Sequence, residues 1–271
     1  MHKAGSVLRR VFRGVRDLLF PPYCVVCGDL FPPFGAETFC PACREAWDDA
    51  RTVAAESAAE AAAVGHAYLV HYRSGETDGV PERFVFHVKH KGDARAFSYA
   101  AQALSMGVHV AVLSADMPEE MPDGLPEGLP LKERPPIFTY TPRRRMAIYQ
   151  DGFDQAARLA CALAREMGGE FVPLLRRGAR RRTSEQKRLG TRERIKNAKA
   201  SYALRRRADA RVRGRIVVLC DDLATTGATL ERCERLLLRA GASAVVWATI
   251  AQTEGIGVGS LRVSRDRERM E

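Results

Sequence analysis

Two groups of residues carry chemistry that their types and spacing make legible. The first is the run Val217-Val218-Leu219-Cys220-Asp221-Asp222-Leu223-Ala224-Thr225-Thr226-Gly227-Ala228-Thr229. Residues 216–219 are apolar without alternation, as in a central parallel strand covered on both faces. Two carboxylates follow, at the carboxyl end where open α/β sheets bind ligands. Ala224, Thr225, Thr226, Gly227, Ala228 and Thr229 are small or hydroxyl-bearing and lead into a helix. Small residues let backbone N–H groups approach an anion, and the helix N-terminus adds its positive end. A phosphate fits beside such a loop. Asp221 and Asp222 would repel it; they suit neutral vicinal hydroxyls or a Mg²⁺ ion. Phosphate, diol and metal together describe a ribose 5-phosphate group. An ordinary strand-turn-helix with threonine caps accounts for the Thr and Gly residues, but not for two carboxylates behind an apolar strand.

The second group is Cys24-x-x-Cys27 and Cys40-x-x-Cys43. Each pair can set two thiolates on one edge of a metal, and two pairs complete a tetrahedron around Zn²⁺. Gly28 supplies the left-handed backbone that such knuckles need. A closed four-cysteine set leaves no open coordination position, so the expected role is structural. A redox reading would require a single Cys-x-x-Cys opening a helix within a βαβ unit, and the sequence around neither pair supplies that.

Charge and cysteine usage set the context. The 271 residues carry a formal net charge of +10, with 43 Lys and Arg against 33 Asp and Glu. Such a surplus favours anionic partners: nucleotide phosphates, pyrophosphate, nucleic acid or a membrane surface. Much of it lies in 176–215. Seven cysteines, four of them clustered, do not form a secreted disulfide framework and point to a reducing compartment. No apolar run approaches the roughly 18 residues of a membrane span, so no transmembrane segment and a cytoplasmic location are expected. The basic, amphipathic stretch 7–20 is read as a short helix docking on the next module.

The surrounding pattern must position these groups. The expected organisation is an N-terminal helix and Cys₄ module over 1–51, a connecting helix over 52–64, an α/β domain over 65–255 and a flexible tail over 256–271. Alternating strand-like and helix-like segments predict a parallel sheet flanked by helices. Strands are expected at 67–72, 83–88, 108–113, 137–140, 171–175, 216–219 and 244–250, and helices at 93–106, 153–167 and 229–240. The Pro-rich stretch 116–136 reads as an exposed loop, and the basic stretch 176–207 as a mobile, partly helical segment.

The acidic pair followed by Thr-Thr-Gly-x-Thr resembles the signature by which type I phosphoribosyltransferases bind 5-phosphoribosyl-1-pyrophosphate (PRPP). By that resemblance Asp221 and Asp222 take the ribose hydroxyls, and residues 224–229 the 5-phosphate. Joined to a Cys₄ ribbon, the domain is similar to the ComF family of competence-associated phosphoribosyltransferase-like proteins. Val88-Lys89-His90-Lys91-Gly92-Asp93 resembles that family's Lys-x-x-Gly turn after the first core strand, which makes Lys89, Lys91 and Gly92 expected pyrophosphate contacts and Lys89 a catalytic candidate beside the two aspartates. Gly152-Phe153-Asp154-Gln155-Ala156 resembles its Gly-Phe-Asn-Gln-Ala segment, with Asp151 where the family carries Arg and Asp154 where it carries Asn. Those changes set an anion beside the expected anion pocket, or turn it to solvent. Arg182, Gln186 and Arg194 fall in elements similar to the family's mobile loop. The resemblance implies a type I phosphoribosyltransferase fold and Mg²⁺-dependent transfer from PRPP to an acceptor it does not name, in DNA uptake or nucleotide metabolism. Two other roles remain: an accessory protein that senses PRPP or binds single-stranded DNA and competence partners, and a regulator. Aromatic residues for base stacking are nearly absent from 176–207, where Tyr202 stands alone, which counts against sequence-specific single-strand recognition.

Overall fold

The computed structural model describes Leu19 and residues 21–31, 37–116, 135–178 and 202–253. Its centre is a parallel sheet. Strands β1 (His66–Ala67) and β2 (Val70–Tyr72) both pair with β8 (Ala244–Thr253). The sheet continues through β7 (Ile216–Ala224) and β3 (Ile137–Tyr140) to β4 (Glu170–Phe171). Every pairing in it is parallel. Every residue of β8 except Thr253 is buried, as a central strand covered on both faces requires.

Alternation of side chains splits the core in two. Val218 and Cys220 of β7 face one apolar cluster, formed with helices α3 (Ala94–Asp116) and α5 (Gln155–Glu166). Val217 and Leu219 face the other, formed with α7 (Ala228–Arg239). The result is a sheet between helical layers, the expected type I phosphoribosyltransferase-like α/β fold, with the four cysteines gathered in one cluster.

Several elements differ from the sequence reading. Residues 83–88 lie in helix α2 (Val80–His90), not in a strand. The run Phe84-Val85-Phe86-x-Val88 fits either periodicity. Pro81 in the first turn decides it, and Phe84, Val85 and Val88 form the buried face. Residues 108–113 likewise belong to α3, which runs unbroken through Gly107. That glycine reads as a boundary in the sequence. Here it permits close packing: a β-carbon at 107 would stand 3.3 Å from that of Ala67. Unbroken, α3 has 23 residues and is long and apolar enough to cross a membrane, contrary to the reading of the chain as lacking any such run. Phe97, Leu104, Val108 and Val112 are buried in the core, as in a central helix of a packed domain. The connecting helix also starts earlier, as α1 (Pro41–Ala63). The 171–175 strand is two pieces, β4 and β5 (Leu175–Arg177), separated at Pro173. Strand β5 pairs antiparallel with β6 (Tyr202–Leu204), inside the stretch read as partly helical.

Candidate ribosyl-phosphate site and cysteine cluster

The decisive difference is in β7. It does not end at Leu219 but runs through both aspartates to Ala224. Because side chains alternate along a strand, Asp221 and Asp222 point to opposite faces. Asp222 lies on the α5 side, 6% exposed. Its Oδ2 is 3.5 Å from Lys89 Nζ and accepts a hydrogen bond from Gln155 Nε2 at 3.3 Å. Lys89 reaches it from the last turn of α2, and Gln155 from the first turn of α5.

Asp221 lies on the α7 side. Its Oδ1 accepts from the Asp222 backbone N–H at 2.9 Å, and Thr141, just past β3, hydrogen-bonds to its side chain. Burial, and then the neighbouring charge of Asp222, hold the Asp221 carboxyl well above the usual range; the Thr141 bond opposes them. The same carboxylate, with burial as the main cause, pushes the Cys233 thiol of α7 up to about 12.

Above the pair the chain turns into α7. Gly227 caps it with φ 70°, a left-handed conformation that suits glycine. Thr225 and Thr226 are exposed. The Thr226 hydroxyl accepts from the Ala228 N–H at 3.5 Å, and the Thr229 side chain bonds Tyr202 from β6. Trp247 of β8 packs beneath Gly227, 3.4 Å from where a β-carbon would stand. Small residues are thus needed at the turn, with a helix N-terminus of three turns behind it.

The Lys89–Gly92 turn follows a helix rather than the strand the resemblance implies. Lys89 approaches Asp222, while Lys91 is exposed at the end of α2. Gly92 has φ 64°, and a β-carbon there would lie 2.8 Å from Phe153; its carbonyl accepts from Arg158. These contacts tie the turn to the Gly152-Phe153-Asp154 segment. Asp151, set where a cation was expected, pairs with Arg143 at 2.7 Å and His90 at 3.2 Å. It therefore anchors the Thr141-Pro142-Arg143 bend to α2. Asp154 caps α5, accepting from the Ala157 N–H at 3.3 Å and the Arg143 N–H at 3.1 Å.

Thr141 and Gln155 were not among the expected site residues. Gln155 stands in a motif whose Asp and Gly drew the attention, and only the fold brings it to Asp222, 67 positions away in the chain. Its NH₂ end faces the carboxylate, and its Oε1 is buried without a hydrogen-bond partner among the described residues. Arg182, Gln186 and Arg194 lie outside the described residues.

The four Cys Sγ atoms lie within 4.8 Å of one another, with Cys27 and Cys40 3.6 Å apart. Tetrahedral Zn–S bonds of about 2.3 Å imply sulfur separations of about 3.8 Å, so the cluster fits that ion. Gly28, at φ 83°, closes the first knuckle by donating to the Cys24 carbonyl at 2.9 Å. Cys40 caps α1 and Cys43 sits in its first turn. Burial raises the Cys43 thiol to about 11. Burial also opposes the Cys24 thiolate, but backbone N–H groups of Cys27, Cys40 and Val26 bring it down to about 7. Beside the knuckle, Arg95 lies 4.8 Å over the Tyr23 ring and bonds Asp93 at 2.9 Å. The cluster thereby braces the Lys89–Gly92 turn.

Comparison with known proteins agrees with the strand-loop-helix. Residues 154–258 match the family model "Phosphoribosyl transferase domain". No curated protein matches the chain. Among solved structures, it is similar to TT1426 from Thermus thermophilus at 21% identity, covering 47% of this chain and 79% of that one, with a TM-score of 0.25. At that identity and score the similarity says nothing about ligand or reaction.

Proposed function

We propose that the chain binds PRPP and transfers its phosphoribosyl group, with Mg²⁺ bound alongside the diphosphate, as a protein of the ComF type. The observation that carries the proposal is the placement of Asp221 and Asp222 at the carboxyl end of the central strand, directly before a small, threonine-rich turn that opens α7. In this reading the 5-phosphate lies against residues 224–229, and the ribose hydroxyls hydrogen-bond to the carboxyl groups of Asp221 and Asp222 at the end of β7. Lys89, already at the rim of Asp222, turns to the pyrophosphate and neutralises the charge that builds on the leaving group. Displacement at the anomeric carbon depends on that stabilisation and on positioning more than on a strong base. Mg²⁺, when bound with PRPP, supplies further charge neutralisation on the diphosphate. The Cys₄ cluster holds structural Zn²⁺.

The test is PRPP binding, and Mg²⁺-dependent release of pyrophosphate across a panel of nitrogenous acceptors, with Asp221→Ala/Asp222→Ala as control. Saturable binding lost in the double variant supports the reading; failure of the native chain to bind PRPP sinks it. Binding without turnover on any acceptor would assign a sensing role. The ComF resemblance supports a role in DNA uptake or nucleotide metabolism, and a transformation assay of a strain carrying the double variant addresses the first.

A further inference from the structure

A groove of about 320 Å³ lies at the β4 edge of the sheet, apart from the acidic pair. Its floor is apolar: Phe171, Val172 and Pro173, with Phe171 37% exposed and stacked on Tyr140 at an interplanar angle of 15°. Its wall is the arginine run after β6. Arg205 is spoken for, donating to the Leu175 carbonyl at 3.1 Å and bonding Tyr140. Arg211 pairs with Glu170. Arg206 and Arg207 are exposed and form no ion pair among the described residues.

Arg207 also has a strained backbone. It sits at φ 64° and ψ 15°, and among the described residues it is the one non-glycine with positive φ. Glycine or asparagine meets that conformation more easily. An unfavourable backbone held at a charged side chain, on the wall of a groove, is the kind of outlier that points to a ligand.

We propose that this groove is a second ligand site, taking a nucleoside monophosphate. Arg206 and Arg207, without ion pairs among the described residues, match the dianionic phosphate. The exposed phenyl face and Pro173 offer stacking area for a flat base, and the volume is at the small end of ligand sites. Because Tyr140 links the groove to β3, and Thr141 follows at Asp221, occupancy would be communicated along one strand to the acidic pair.

The test is calorimetric titration of the full chain with AMP in saturating Mg²⁺ and PRPP, so that residual binding belongs to the groove. Adenosine, inorganic phosphate and a 20-mer of thymidylate are the comparison probes. Arg206→Ala and Arg207→Gly should each weaken AMP at least 10-fold. Arg207→Gly relieves the backbone strain, so its melting temperature should equal or exceed that of the native chain, which separates lost binding from lost folding. Absence of AMP binding, AMP binding untouched by either substitution, or phosphate binding as tightly as AMP would overturn the proposal. So would arginine-dependent binding of the oligonucleotide without binding of AMP, which would make the groove part of a nucleic-acid track.

Discussion

Replacing Asp222 separates two tasks of one carboxylate. Its Oδ2 receives Gln155 and faces Lys89, and its Oδ1 accepts from the Leu223 N–H at 3.0 Å. Asp222→Ala removes all three. Lys89, 33% exposed, turns to water. Gln155, 3% exposed, cannot, and a buried donor left without a partner costs about 1–3 kcal/mol. For a chain of this size each kcal/mol lowers Tm by roughly 2–4 °C, so the alanine variant should melt roughly 2–12 °C below the native chain. Asp222→Asn is different. Its shape is the same, and a flipped Gln155 amide can accept from the new NH₂ group, so the loss should be well under half as large. Both variants forgo the charge-assisted bond to a ribose hydroxyl, about 1.5–3 kcal/mol, and PRPP should bind roughly 10- to 150-fold more weakly. Thermal melting and calorimetric titration on the same preparations read both effects. An asparagine variant that binds PRPP within about threefold of native would refute the assignment of ribose to this carboxylate. Equal melting of the two variants would refute the role given to Gln155.

Three further outcomes follow from the packing. His66 is 1% exposed, bonds Thr249 at 2.8 Å, and is driven down to about 4 by burial. The unfolded imidazole titrates near 6.5, so between 6.5 and 4 the unfolded chain binds more protons and stability falls as pH drops, by on the order of 3 kcal/mol; His66→Asn should flatten that slope in pH-dependent melting. Stripping metal with a strong chelator under reducing conditions should release about one Zn²⁺ per chain, lower Tm, and weaken PRPP through loss of the Tyr23–Arg95–Asp93 brace, read by metal analysis and titration. Gly92→Ala should destabilise by about 1–3 kcal/mol, because an alanine is strained at φ 64° and its methyl meets Phe153; unchanged denaturant unfolding would contradict this.

How much of the site was legible depends on how local its signals are. The Cys-x-x-Cys pairs and the Asp-Asp-x-x-Thr-Thr-Gly-x-Thr run are short-range patterns: the four thiols cluster as expected and the threonine turn opens a helix as expected, although β7 extends through both aspartates and α1 begins at Pro41, beside the second cysteine pair. Residues 83–88 and 108–113 were misread because short apolar runs satisfy two periodicities at once. Pro81 and the packing of Gly107 against Ala67 arbitrate between them. Asp151 was an anomaly in sequence, and in three dimensions it is the partner of Arg143 and His90.

The sequence by itself determined the α/β class, the cysteine set and the acidic pair followed by a small, threonine-rich turn, because each is written in neighbouring residues. Only tertiary structure decided that β7 carries its acidic pair inside the strand, one carboxylate to each face. It alone brought Lys89 and Gln155 to Asp222 and Thr141 to Asp221, and set four arginines along a groove at the sheet edge. Those contacts join segments tens of residues apart, and their partners are fixed by strand register and side-chain alternation, which no local pattern encodes.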